Sequence, residues 1–216
     1  MLDFSQADHI WLASYPRSGS TLLRTILFQC FGLKSASIYQ GEFSENAELA
    51  GFVGHLEHDS AGVVNWPPGV PHLIKTHACS GTYAGPAIYA IRNGHDAVRS
   101  GARFYRNALS IEDIIKGKQP FDLWSKNVSF WTSKSRGPTL LLRYEDMVND
   151  MESSLSTLSN VLGRPILSHS LPDRDVMADQ FVVNSETDRP PPLTTGQKDL
   201  FQWINGSLMR EFGYGE

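Results

Sequence analysis

The sequence predicts a three-layer α/β/α domain built on a central parallel sheet, and three observations carry that prediction. Short apolar runs at residues 10–13, 72–77, 87–91 and 139–143 alternate with longer stretches whose apolar residues recur at helical spacing. Each run gives way to polar or charged residues, as expected where parallel strands deliver side chains to one edge of a sheet. No repeat, low-complexity tract or linker divides the 216 residues, so one domain over residues 1–216 is expected.

At 41% hydrophobic and 19% charged, the chain has the balance of an ordinary globular protein with room for a sizeable core. A formal net charge of −4 argues against a nucleic-acid binder, so any anionic ligand must be held by local positive charge. Residues 1–9 carry Asp3 and Asp8 and lack an apolar segment of signal-peptide length, and no run approaches membrane-spanning length. A soluble, cytoplasmic protein without membrane association is expected. Cys30 and Cys79 are too few for a disulfide framework and fit a reducing compartment.

The stretch from Trp11 to Arg24 organises the rest. Its apolar run passes through Pro16 and Gly19 into residues 21–31, whose apolar residues have helical spacing, which reads as strand, tight loop and helix. The first amides of such a helix lack internal partners and, with the helix dipole, form an anion site. Arg17 adds a full charge, and Ser18, Ser20 and Thr21 add hydroxyl donors. Aligned with the phosphate loop G-x-x-x-x-G-K-[ST], Gly19 takes the second glycine, Ser14 the first, and Ser20 falls where the lysine belongs. The nucleotide-kinase lysine is absent, and Arg17 supplies its charge from inside the loop.

Tyr15-Pro16-Arg17-Ser18-Gly19-Ser20-Thr21 resembles the loop that binds the 5′-phosphosulfate end of the donor in sulfotransferases using 3′-phosphoadenosine 5′-phosphosulfate (PAPS). The common family form is Tyr-Pro-Lys-Ser-Gly-Thr-Thr, so this chain has Arg for Lys and Ser for the first Thr. The resemblance implies a P-loop NTPase-like fold, PAPS as co-substrate without a metal, and a donor site that includes Arg17, Ser18, Gly19, Ser20, Thr21 and Leu22. At position 22 many members carry an aromatic residue beside the adenine.

Residues 34–39 read as a short strand and 42–53 as an irregular helical segment. His55 and His58 lack a third and fourth ligand at recognisable spacing and read as a turn, not a metal site. Trp66 lies in a loop rich in breakers, either as a lid over an apolar pocket or as ordinary packing. On an extended backbone Lys75 and His77, two apart, share a face at a strand's carboxyl end. They read as a surface strand end, or as a general base with a charge-stabilising partner. Lys75-Thr76-His77 resembles the family segment that carries the catalytic histidine, which favours the second reading.

Arg92 follows the strand at residues 87–91, with Ser100 eight residues on. The pair resembles the family's 3′-phosphate segment, where a planar arginine fork and an uncharged donor meet phosphate oxygens. Arg99, Arg103 and Arg106 form a cationic stripe on the same helix, read as a solvated face or as a phosphate contact. Ser110 and Asp113 resemble a capping box, and residues 121–135 read as a helix with Phe121, Trp124, Val128 and Trp131 near one side. Core packing is the default for that aromatic face, and the resemblance implies that part of the region lines the acceptor pocket.

Leu142-Arg143-Tyr144-Glu145-Asp146-Met147 resembles the signature whose tyrosine lies by the donor's adenine, which makes Tyr144 the candidate, with Glu145 and Asp146 serving helix-start electrostatics. An amphipathic helix follows to Gly163, and residues 197–212 read as the last helix. Before it, the family carries Arg-Lys-Gly-x-x-Gly-Asp-Trp-Lys, where this chain has residues 185–193 with only Arg189 to stand in. The sequons at Asn127 and Asn205 fall in predicted helices and are discounted.

These readings converge on in-line transfer of a sulfuryl group from PAPS to a hydroxyl or amine of a small-molecule acceptor. His77 serves as general base, and Lys75 and Arg17 stabilise developing charge. The alternatives are a non-catalytic relative that binds a nucleotide or a partner, and a P-loop small-molecule kinase, which the missing lysine disfavours. Phe43, Trp66, Tyr83, Phe104 and Trp124 are candidates for an apolar acceptor pocket.

Overall fold

The computed structural model describes residues 2–105, 108–172 and 191–215. Its sheet joins β1 (His9–Ser14), β2 (Ser35–Ser37), β3 (His72–Thr76), β4 (Ala87–Ile91) and β5 (Thr139–Arg143), all parallel, in the order β2-β3-β1-β4-β5. These strands are nearly continuous apolar runs because helices cover both faces.

Alternate residues feed two cores. Ile10, Leu12, Ile88, Ala90, Leu140 and Leu142 pack under α1 (Ser20–Phe31) and α7 (Met151–Leu162). Ala13, Ala87, Tyr89 and Ile91 pack under α3 (Gly94–Phe104), α5 (Trp124–Thr132) and α8 (Thr195–Glu211). Three short helices complete the described residues: α2 (Ala47–Phe52), α4 (Ile111–Ile115) and α6 (Tyr144–Asn149).

From β1 the chain crosses through α1 to the outer β2, returns to β3 beside β1, and then moves to β4 on the other side of β1. Because α1 and α3 lie on opposite faces, β1 is the switch strand. A crevice opens at its carboxyl end.

The strands lie where the sequence puts them, and most helix ends follow from local chemistry. Gly32 closes α1 in the left-handed conformation, and the Asn93 side chain caps α3 by accepting from the His95 amide at 3.0 Å. Ser110 and Asp113 form the reciprocal capping box, and Thr194 and Gln197 form another at α8. Two predicted helices differ. Asp122 adopts φ +64, so α5 begins at Trp124 and Phe121 is left in a loop. The predicted helix after Tyr144 is two helices, because Asp150 leaves helical geometry and caps α7 through Ser153 N at 3.2 Å. Among the described residues no helix is long and apolar enough to cross a membrane.

Gly94 opens α3 where β4 ends, and a Cβ there would meet Phe201 Cζ at 2.3 Å and Trp124 at 3.2 Å. Gly51, inside α2, has nothing within 4 Å. Gly94→Ala is therefore expected to destabilise the fold by about 1–3 kcal/mol. Gly51→Ala should leave stability unchanged or raise it by about 0.5–1 kcal/mol. Urea unfolding of both variants checks the pair, and equal effects would contradict the close packing of α8 on α3.

Candidate active site

Parallel strands bring the residues that follow β1, β3, β4 and β5 to one edge of the sheet. Arg17 sits at φ +64 and Gly19 at φ +100, a turn that opens α1 without a side-chain cap and without an acidic residue in its first turn. A Cβ at Gly19 would come 2.7 Å from Cδ2 of Tyr144, so the tyrosine ring occupies the space that a larger residue needs. Arg92 lays its guanidinium 4.3 Å from the centroid of that ring, and its Nη1 donates to the Arg17 carbonyl at 3.1 Å. Arg17 Nε donates to Ser100 Oγ at 3.2 Å, and the exposed Phe104 ring lies 5.6 Å from its guanidinium.

The chemistry of this loop asks for an anion. Burial first, then the neighbouring Arg92 and Arg103, pushes the Arg17 pKa down, so like charges converge where the first amides of α1 are presented. Ser18 Oγ is buried and has no hydrogen-bond partner among the described residues. An orphaned hydroxyl beside a left-handed arginine is the kind of unsatisfied geometry that functional loops retain.

His77 follows β3 and is held from several sides. Its Nδ1 lies 2.8 Å from the Ser14 carbonyl and 3.2 Å from Ser14 Oγ. A carbonyl only accepts, so Nδ1 carries the proton and Nε2 keeps its lone pair. The His77 amide donates to Tyr39 Oη at 3.0 Å. Tyr39 stacks on the imidazole at 6.2 Å between centroids, and Phe121 meets it edge-on at 5.3 Å. Burial first, then the charge of Lys75, pushes the His77 pKa down to about 3, so the imidazole is neutral at physiological pH.

Lys75 lies on the same side as His77 and is already paired with a carboxylate. Its Nζ donates to Glu42 Oε1 at 2.5 Å and lies 4.6 Å from the Tyr39 ring centroid. The other oxygen of Glu42 accepts from Arg24 Nη1 at 2.9 Å. With side-chain exposures of 6% for Lys75, 1% for Arg24 and 19% for Glu42, this is an interior ion network. Burial raises the Glu42 pKa, but Lys75 and Arg24 outweigh it and hold the carboxyl at about 2. Arg24 Nη2 also meets His55 Nδ1 at 2.7 Å, and His55 Nε2 faces Glu57 at 3.2 Å.

Comparison with known proteins decides the family, because the profile of the sulfotransferase domain matches residues 7–178. The chain belongs to the sulfotransferase domain family. It is 27% identical to mouse sulfotransferase 1A1 over 198 residues, covering 78% of this chain and 62% of that protein. The chain spans about three fifths of the length of the curated relatives it matches. Its fold is similar to that of mouse sulfotransferase SULT7A1 complexed with PAP, with a TM-score of 0.58 and 19% identity, covering 99% of this chain and 90% of that one. It is also similar to retinol dehydratase in a complex with retinol and PAP, at a TM-score of 0.52 and 17% identity, covering 97% and 82%.

In this chain Arg17, Ser18, Gly19, Ser20, Thr21, Arg92, Ser100 and Tyr144 come together at one edge, with His77 and Lys75 beside them. Leu22 is partly buried and packs against the core under α1. Arg189 and Arg106 lie outside the described residues. Arg99, read as a solvated or phosphate-facing residue, donates through Nε to the Pro191 carbonyl at 3.1 Å.

The aromatic pocket expected from sequence is scattered. Trp66 stacks on His72 at the amino end of β3, Tyr83 packs on Trp11 and Trp131, and Trp124 is buried with its Nε1 donating to the Arg92 carbonyl. The rings that flank His77 are Tyr39 and Phe121. Glu42, Tyr39 and Arg24 were the missed residues, and the one available signal was an arginine placed among the buried positions of α1.

The His77 and Glu42 shifts share a sign in their linkage to stability. Both pKa values lie lower in the folded chain, so the unfolded chain binds more protons and stability falls as pH drops. The His77 contribution is lost between its ordinary value of 6.5 and about 3, and that of Glu42 between 4.5 and about 2. Urea midpoints should fall steadily on acidification below pH 6.5, and His77→Gln should flatten the first part of that fall. A slope left unaltered by His77→Gln would count against a neutral, buried imidazole. Removing Glu42 (Glu42→Ala) leaves two buried cations facing each other and is expected to cost about 3–5 kcal/mol, measured in the same assay.

Proposed function

We propose that this chain is a PAPS-dependent sulfotransferase, working as one domain over residues 1–216, that moves a sulfuryl group to a hydroxyl or amine of a small-molecule acceptor. The observation that carries the reading is a neutral imidazole, locked at Nδ1 by the Ser14 carbonyl, on the same sheet edge as a cationic loop with an orphaned serine hydroxyl. The residues present fit the donor. The loop amides with Ser18, Gly19, Ser20 and Thr21 suit its 5′-phosphosulfate, Arg92 and Ser100 its 3′-phosphate, and Tyr144 its adenine. When bound, PAPS supplies an activated sulfuryl group on a good leaving phosphate.

The chain's own residues do the rest. His77 Nε2 accepts the proton of the acceptor hydroxyl as the new S–O bond forms. Arg17 stabilises charge on the sulfuryl oxygens and the leaving phosphate, and Lys75 contributes from within its pairing with Glu42. Tyr39 and Phe121 offer an apolar, aromatic wall to an acceptor, in keeping with the retinol that accompanies PAP in the retinol dehydratase complex. The same reading makes it a soluble enzyme of the cytoplasm that acts on small molecules.

Calorimetric titration with adenosine 3′,5′-bisphosphate (PAP) is expected to give micromolar binding that weakens on Arg92→Ala, with ATP and magnesium silent. His77→Ala should keep that binding and lose about 10²–10⁴-fold in sulfuryl transfer. Tight ATP binding would point instead to a kinase, and silence toward both nucleotides to a non-catalytic relative.

A further inference from the structure

Asn127 is wholly buried on α5, which is at odds with its place in a glycosylation sequon and directs attention to what its amide does. Its Nδ2 donates to the His77 carbonyl at 2.7 Å, and its Oδ1 accepts from the Tyr89 hydroxyl at 2.8 Å. The orientation is unambiguous. A carbonyl demands the NH₂ end of the amide, which leaves only the oxygen for the tyrosine hydroxyl. One turn further along α5, Trp131 Nε1 donates to the Ala78 carbonyl at 2.8 Å. Two side chains at i and i+4 of one helix therefore capture the two consecutive carbonyls that follow β3.

We propose that Asn127 is a positioning residue for His77, and this inference rests on the reading of His77 as the general base. The imidazole is held through Nδ1 by the carbonyl and hydroxyl of Ser14, and the main chain of His77 has two fixed points, Tyr39 Oη at the amide and Asn127 Nδ2 at the carbonyl. With the peptide fixed at both ends, the ring meets Ser14 through Nδ1 and keeps Nε2 as the acceptor. Tyr89, buried on β4, orients the amide and ties the histidine loop to the centre of the sheet. A base held this tightly is pre-organised, and displacements of about 1 Å around reacting groups cost on the order of 10²-fold in rate.

The test compares wild type with Asn127→Ala, Asn127→Asp and Tyr89→Phe in three readouts: PAP binding, kcat for sulfuryl transfer, and the His77 ring tautomer by nitrogen NMR. Asn127→Ala is expected to bind PAP as wild type does, to lose about 10–100-fold in kcat, and to show His77 as a mixture of tautomers. Asn127→Asp opposes a carboxylate to the His77 carbonyl, so its activity should recover toward acid pH as protonation restores a donor, a profile that a merely structural role would not produce. Where Asn127→Ala does not fold, Tyr89→Phe serves, with a smaller loss of kcat in the same direction and the same change in tautomer.

An Asn127→Ala protein, or in its place Tyr89→Phe, with wild-type kcat and an unchanged His77 tautomer would overturn the proposal. So would loss of PAP affinity in step with kcat, which marks a general scaffold role. The tautomer readout needs no turnover. If wild type transfers no sulfuryl group, the functional reading fails, while the NMR result still decides whether Asn127 sets the histidine.

Discussion

The hydrogen bond between His77 Nδ1 and the Ser14 carbonyl is the contact on which the rest of the site depends. It exists because β1 and β3 are parallel neighbours in register, with Ala13 opposite Thr76, so both strands run out at the same height. One strand then offers its last carbonyl and the other the side chain that follows it. No side-chain substitution removes that acceptor. The acceptor that selects the His77 tautomer is therefore supplied by the sheet, and the surrounding side chains decide whether the ring is held against it.

Two groups of positive charge flank this contact, and they are in different electrostatic conditions. Around the first turn of α1, Arg17, Arg92 and Arg103 approach one another, and a serine hydroxyl there has no partner among the described residues. Around Glu42, Lys75 and Arg24 are already compensated by a carboxylate in the interior. A multiply charged anion placed there would offset the first group. The second holds Lys75 near His77 and limits how far its stem can wander.

Much of this was legible in the sequence, because it depends on local chemistry. Residues 72–77 and 87–91 announce their strands by composition, Ser110 with Asp113 announces a helix start, and the Tyr15–Thr21 loop announces an anion site by the types and spacing of its residues. What escaped notice depends on distant pairs. Nothing near Glu42 in the chain says that Lys75, thirty-three residues on, meets its carboxylate. The place of Phe121 escaped notice for a related reason, since one left-handed residue, Asp122, delays the start of α5 to Trp124 and turns Phe121 from a predicted helix face into a neighbour of His77.

The Glu42 network also bears on how this sequence can change over time. Neutral replacement of Glu42 strands two interior cations, whereas neutral replacement of Arg24 or of Lys75 leaves the other cation still paired with the carboxylate. Drift along this edge of the sheet is therefore lopsided, because the carboxylate is pinned by two cations while either cation can go and leave a compensated pair behind. An exchange of position 42 to a neutral residue is thus expected across homologues only where positions 24 and 75 have changed as well, far apart as they lie along the chain.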